Sequence, residues 1–259
     1  MGVVHAVLQR LCPAARVIDL THHVPRQQVR WGALCLARAM DYLGPGLVLA
    51  VVDPGVGTKR RPIAARAGNF FFVAPDNGLI IPAARSAGGV KRAVVLDRSK
   101  LEPARAPWSG PERARGATFD GRDVFAPAIA ALAAGADLYD LGDPLDPEAL
   151  EGLEPPRYNW VGECLETEVS WVDIYGNVQV WGTREDLERL GGLIRLSKDG
   201  QETWARVVSS FADLDTGEIG LLMDSDGRLA IVANGASAAS ALELAPGDLV
   251  WLCRSPQPS

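Results

Sequence analysis

Three short stretches bring together residue types that can do chemistry. The first is Asp53–Arg60 (DPGVGTKR), which follows the apolar run Leu47–Val52 (LVLAVV). A carboxylate just past the carboxyl end of a parallel strand stands where α/β sheets bind ligands, and the glycines let backbone approach a ligand closely. The loop matches neither GxxxxGKS/T nor GxGxxG, so a phosphate cradle lacks its pattern. Taken alone, Asp53 as a turn cap is the commoner arrangement. The second stretch, Thr118–Asp123 (TFDGRD), concentrates charge ahead of an apolar helix, where a ligand could meet the helix N-terminus. Its plainer alternative is a capping loop with a local Asp–Arg pair. The third, Asp173–Asn177 (DIYGN), sets an aromatic ring two residues from a carboxamide. A carboxamide can read an adenine edge while a ring stacks on its face, although a simple Tyr-Gly-Asn turn explains the same residues.

Other chemistries lose their parts. Only His5, His22 and His23 are present, with no HExxH, no Cys/His cluster and no GxSxG elbow. No metal is therefore expected, and serine-hydrolase chemistry is disfavoured. His22 and His23 are adjacent, so on an extended segment they face opposite sides and cannot be paired ligands. Lys59, Arg60 and Arg61 form a basic cluster too small for a nucleic-acid patch. Cys12, Cys35, Cys164 and Cys253 are far apart and read as buried thiols of a reducing cytosol rather than disulfides.

The elements that must position these residues follow from periodicity and turn chemistry. Val3–Leu11 has helical spacing and stops before Pro13; Arg16–Leu20 (RVIDL) reads as a short buried strand; Gln27–Leu43 reads as a second amphipathic helix. Leu47–Val52 reads as a parallel strand covered on both faces. Pro62–Ala67 and Phe70–Val73 flank Gly68-Asn69, a hairpin-type pair. A helix at Leu79–Ala87, a strand at Arg92–Leu96 and a helix at Asp123–Ala136, with Asp123 as N-cap, continue the alternation. The expected fold class is α/β: residues 1–150 form an α/β domain with a mostly parallel sheet. Asp143–Pro156 (DPLDPEALEGLEPP) reads as a linker. Beyond it, short strands at Gly162–Val172, Gly192–Arg195, Trp204–Val208, Glu218–Met223, Leu229–Val232 and Asp248–Leu252, with a helix at Arg184–Leu190, predict a smaller all-β barrel over 157–259.

Composition sets the outer bounds. The 259 residues are 47% hydrophobic and 22% charged, with mean hydropathy +0.05. That suits a globular protein with a real core. The net charge of −6 argues against a backbone-driven nucleic-acid binder. The longest apolar stretch, Val124–Ala136, contains Pro127 and is too short to span a bilayer, so no membrane association is expected. Residues 1–15 lack a signal peptide's pattern, and a cytoplasmic location is expected. In α/β folds the first element is usually a strand. This sequence opens on a helix, as though a first strand preceded it.

Read in order, seven blocks resemble one family: Ile18–Pro25 (IDLTHHVP), Ala50–Gly57 (AVVDPGVG), Val73–Leu79 (VAPDNGL), Thr118–Pro127 (TFDGRDVFAP), Asp173–Asn177, Phe211–Asp213 with Gly217–Gly220 (FAD, GEIG), and Asn234–Ala238 (NGASA). The chain is similar over nearly its whole length to the S-adenosyl-L-methionine (SAM) hydroxide adenosyltransferases, relatives of fluorinase and chlorinase. The resemblance implies an α/β domain plus a β-barrel, a homotrimer with active sites between neighbouring subunits, and attack of water or hydroxide on the 5′-carbon of SAM to give adenosine and L-methionine. SAM is then substrate, and no cofactor is implied. The family associates an Asp, an Arg and a His with the attacking water; the first two fall on Asp53 and Arg60, and the third on Asp120. Adenine contacts carry over to Asn177, Tyr175, Phe211 and the backbone of Ala233–Gly235. The methionine end carries over to Asp173 and Ser225, with Asp226 where the halogenases have Arg. Gln27 stands where they place a Trp. They carry Tyr at the Asp53 position and a long insertion where this chain has Gly68-Asn69, so hydrolysis is expected, with SAM binding without turnover and halogenation as the alternatives. The family's opening strand ends in a Thr-Asp-Phe-Gly segment whose Asp meets the ribose hydroxyls, and this sequence starts at what resembles the helix after it.

Overall fold

The computed structural model describes residues 1–105 and 118–255, of which 102–105 as backbone alone. Contacts divide the chain into two compact units, Met1–Leu153 and Glu154–Ser259.

The first unit contains β1 (Gly46–Leu49), β2 (Pro62–Ala67), β3 (Phe70–Pro75), β4 (Val90–Leu96) and β5 (Gly142–Leu145), which form one sheet in the order β1-β3-β2-β4-β5. Side-chain alternation along β2 shows how the sheet is filled. Ile63 and Ala65 join a core with Leu36, Met40, Phe72 and Ile80, whereas Ala64 joins Val7, Leu8, Val94 and Phe125 on the other face. Helices α1 (Gly2–Leu11) and α5 (Ala126–Ala133) cover the second face; α2 (Val29–Ala39) and α3 (Ile81–Ser86) cover the first. The α/β class holds, but the sheet is not mostly parallel. Only β1–β3 is parallel, while β2–β3, β2–β4 and β4–β5 are antiparallel. For β2–β3 the reason is the turn at Gly68-Asn69: a two-residue connection can only join antiparallel neighbours.

Three local expectations also change. Residues 16–20 are exposed and form no strand, and among the described residues β1 pairs with β3 alone. The segment Asp143–Pro156 is not wholly a linker, because Asp143, Pro144 and Leu145 pair with β4. Asp123 does not cap a helix. It lies inside a single π-helical turn (Gly121–Phe125) that leads into α5, and its carboxylate accepts two bonds from Arg122.

The second unit is a closed barrel. Its elements are β6 (Tyr158–Val161), β7 (Cys164–Val172), β8 (Val178–Val180), α6 (Arg184–Leu190), β9 (Leu193–Lys198), β10 (Gln201–Val207), β11 (Ile219–Met223), β12 (Leu229–Ala233), α7 (Ala238–Ala241) and β13 (Leu249–Arg254). Seven strands run β13-β9-β10-β11-β12-β8-β7, and β7 pairs back onto β13 to close the ring, with β6 added beside β7. Leu165, Val169, Leu196, Leu221, Ile231 and Leu252 fill the interior. Cys164 and Cys253 face each other across the β7–β13 seam and are joined as a disulfide, with Cα atoms 4.0 Å apart. The reading of four free thiols is thus corrected. The partners are 89 residues apart in sequence, and only barrel closure makes them neighbours. Among the described residues no helix is long and apolar enough to cross a membrane.

Candidate functional site

The sequence candidates fall into one buried charge cluster in the first unit and a set of turns on the barrel. Asp53 sits beyond the end of β1, where Asn77 Nδ2 ties down the carbonyl of Val52 at 2.9 Å. The loop then folds back on itself: Thr58 N and Oγ1 donate to Gly55 O at 3.1 and 2.6 Å, and Arg60 N donates to Thr58 Oγ1 at 3.2 Å. A Cβ on Gly55 would lie 3.2 Å from Arg60 Cβ, so glycine lets Arg60 return over Asp53. Arg60 Nε donates to Asp53 Oδ1 at 3.0 Å and Nη2 donates to Asp53 Oδ2, a bidentate pair. Nη2 also donates to Asp120 Oδ2 at 2.8 Å. The three side chains are only 8%, 6% and 4% exposed for Arg60, Asp53 and Asp120. Phe125 lies under the guanidinium at 5.4 Å.

Two features of this cluster suit it to proton transfer. Burial pushes the Asp53 carboxyl above its ordinary value, the Asp120 charge adds to that rise, and Arg60 opposes it. A carboxylate so placed is a better proton acceptor than an exposed one. Arg60 uses Nε and Nη2 on the carboxylates, while its Nη1 is buried and has no hydrogen-bond partner among the described residues. A buried guanidinium nitrogen without an acceptor is an unpaired donor close to Asp53.

Sequence reasoning missed a fourth member. Arg98, first residue of α4 (Arg98–Arg105), donates from Nη2 to Asp120 Oδ1 at 2.6 Å. No spacing rule links residues 98 and 120. A weak signal was available: a cation at a helix N-terminus opposes the helix dipole and invites a nearby carboxylate.

The barrel candidates separate. In the β7–β8 turn, Asp173 Oδ1 accepts from the N–H groups of Tyr175 and Asn177 at 2.8 and 2.9 Å, and its Oδ2 accepts from Asn177 Nδ2 at 2.8 Å. The carboxamide therefore keeps one N–H and its oxygen for a ligand. Gly176 has φ +84°, and a Cβ there would overlap Ser237 Oγ at 2.0 Å, so this turn packs directly on the Ser237 loop. Ala239 N donates to Gly176 O at 2.9 Å. The short turn Phe211–Asp213 is tied to the same end of the barrel, since Asn234 Nδ2 donates to Leu214 O at 2.7 Å and Gly217 N donates to Asn234 O at 2.8 Å. Tyr175 is 75% exposed and Phe211 42%. Asp173, Tyr175, Asn177, Phe211, Ala233 and Gly235 thus gather at one end. Ser225 does not: it lies in the β11–β12 hairpin turn, at the opposite end of both strands, where Asp224 Oδ1 accepts from the N–H groups of Asp226 and Arg228.

One histidine group also escaped the sequence. His5 Nε2 and His22 Nε2 each lie 2.9 Å from Asp19 Oδ1, and these three residues form the only set of potential metal ligands among the described residues. His22 pairs with His5 on α1, not with its neighbour His23. His22 and Asp19 are exposed and His5 is half-buried, and the Nε2 of each histidine is already engaged by Asp19. Those bonds, led by the one to His22, hold the Asp19 carboxyl below the usual range.

The chain matches two family models: the SAM hydroxide adenosyltransferase N-terminal domain over residues 1–142 and the C-terminal domain over 167–251. It is 43% identical to a protein named (R)-S-adenosyl-L-methionine hydrolase from Salinispora tropica, over 94% of this chain and 88% of that one. It is 26% identical to a fluorinase from Actinopolyspora mzabensis, over 96% and 91%. A crystal structure of a conserved protein from Thermotoga maritima superposes with TM-score 0.83 at 34% identity, over 98% and 94% of the two chains. Matched in both of its domains, the chain belongs to the SAM hydroxide adenosyltransferase family.

Proposed function

We propose that this protein hydrolyses SAM to adenosine and L-methionine by attack of water on the ribose 5′-carbon. The observation that carries it is the buried Asp53–Arg60 pair, with Arg60 Nη1 left unpartnered among the described residues. Each Asp53 oxygen is engaged by Arg60 yet keeps a lone pair, so the carboxylate can take a proton from a water held in line with the C–S bond. The guanidinium stabilises the hydroxide as it forms. The leaving group is a neutral thioether departing from a sulfonium, so no general acid is required and no cofactor is invoked. Charge is dispersed as the bond breaks, which a pocket poor in water favours.

Recognition is assigned to the barrel. Asn177 reads the adenine edge, Tyr175 and Phe211 flank its faces, and the backbone of Ala233 and Gly235 completes the base site. Asp173 takes the methionine ammonium; Ser225, at the opposite end of the barrel strands, is too far away to hold the carboxylate of the same amino acid. The assembly proposed with this chemistry is a homotrimer in which the barrel of one subunit and the α/β unit of the next share each substrate. A cytoplasmic location is proposed with the metabolite substrate, while the Cys164–Cys253 disulfide means the cysteines no longer argue for it.

Incubation with SAM and chromatography of the products tests the reaction, with equal amounts of adenosine and methionine expected. Tight SAM binding without adenosine would support the alternative of a binding protein, which Asp120 favours because Arg60 and Arg98 already hold both of its oxygens. Halide-dependent 5′-halo-adenosine would support a halogenase, and Asp53 predicts none. Light scattering in solution tests the trimer: a mass near three times 27.6 kDa is expected, and a monomer that turns over SAM would remove the shared site.

A further inference from the structure

Asp120 is nearly fully buried, and both its oxygens are held by guanidinium groups from different elements: Oδ2 by Arg60 Nη2 at 2.8 Å and Oδ1 by Arg98 Nη2 at 2.6 Å. Two carboxylates and two guanidiniums make a neutral set, Asp53–Arg60–Asp120–Arg98. The set is a chain, with Arg98 at its outer end, 44% exposed. An exposed ion pair contributes little on its own. Arg98 also opens α4, where its charge faces the unfavourable end of the helix dipole. Neither helix formation nor surface pairing accounts for a cation there, whereas neutralising a buried second carboxylate does. Without Arg98, two buried carboxylates would share one guanidinium, and Asp120 would compete with Asp53 for the Arg60 Nη2 that now bonds both. Held by Arg98, Asp120 stays placed to accept from Nη2, so the Arg60 plane stays bidentate on Asp53.

We propose that Arg98 is a positioning residue for the Asp53–Arg60 pair, acting through Asp120: it holds one carboxylate oxygen so that the other fixes the Arg60 guanidinium. Its kinetic readout rests on the hydrolase reading above; its structural readout does not.

The test is a double-mutant cycle on the full chain with R98A, D120N and R98A/D120N, with R98K as the conservative control. Removing either charge alone unbalances the set, whereas removing both leaves the Asp53–Arg60 pair neutral. Expected is a kcat about tenfold lower for R98A with KM within about threefold, recovery by R98K, and a double variant more active than the product of the two single effects allows. Thermal unfolding is read on the same four proteins. R98A should lower the midpoint by about 2–4 °C beside Asp120 and by clearly less beside Asn at that position. Single effects that simply multiply, together with equal midpoint shifts in both backgrounds, would overturn the proposal. If the unaltered protein makes no adenosine, the hydrolase reading fails by itself, and the midpoint cycle alone decides: coupling supports the proposal and additivity refutes it.

Discussion

The two candidate regions use the same residue types in opposite surroundings. Asp53 and Asp173 are both loop carboxylates that follow a β-strand and precede a glycine. Asp53 is buried against Arg60 and its pKa is raised by that burial. Asp173 organises an exposed turn by accepting two backbone N–H groups and the Asn177 amide. Burial with an opposite charge makes a reactive group that is costly to disturb. A solvated turn gives shape and hydrogen-bonding edges whose loss should weaken binding and leave the fold intact. Under the proposed function, the buried pair would carry the chemistry and the exposed turn the recognition.

The sharpest way to break the contrast is D53N. Loss of a positioned base costs on the order of 100- to 10,000-fold, so adenosine formation should fall by that factor while calorimetric SAM affinity stays within a few-fold. Unchanged turnover would move the base elsewhere. Next is R60A, which strands the buried Asp53 carboxylate and leaves Asp120 to Arg98 alone. Breaking a buried pair of this kind costs about 3–5 kcal/mol, and urea unfolding should register a loss of that size beside the loss of activity. Tyr175→Ala tests the opposite region: its exposed ring should be worth about 1–3 kcal/mol of base stacking, seen as a higher KM with an unchanged melting midpoint. A lowered midpoint would mean that the turn is structural after all.

Acid–base behaviour gives a finer test. The raised pKa means that Asp53 binds its proton at a pH above the usual carboxylate range. The ionised form is the base, so kcat/KM should fall as pH drops through that raised value. The sign for stability is opposite. The folded state holds the Asp53 proton more tightly than the unfolded chain does, so this group's contribution is lost as pH rises from the ordinary value through the raised one. D120N removes a neighbouring charge that raises the Asp53 pKa, and the acid limb should move to lower pH. The smallest effect concerns the barrel alone. Thiol titration of the unfolded, unreduced chain should count two free cysteines, Cys12 and Cys35, and four after reduction.

What the sequence disclosed follows from which interactions leave a local trace. Period-two alternation and turn chemistry marked β2, β3 and most barrel strands, because each is written within a few neighbouring residues. The three-residue β8 is too short to show a period. Residues 16–20 have a strand-like composition but no strand beside them among the described residues. Loop 53–60 drew attention through its glycines, yet its own residues could not tell a turn cap from a base, because that difference depends on burial under Asp120 and Phe125. Arg98 and the Cys164–Cys253 link were invisible for one reason: both join residues distant in the chain whose contact is made only by the finished fold.

The most direct test of the central claim is SAM turnover in ¹⁸O-labelled water. Attack at the 5′-carbon transfers one solvent oxygen to the adenosine 5′-hydroxyl as the C–S bond breaks and a proton is released. Mass spectrometry should find one ¹⁸O per adenosine and none in methionine, with the signal lost in D53N. Absence of adenosine, or adenosine whose 5′-oxygen does not come from the solvent, would contradict the account.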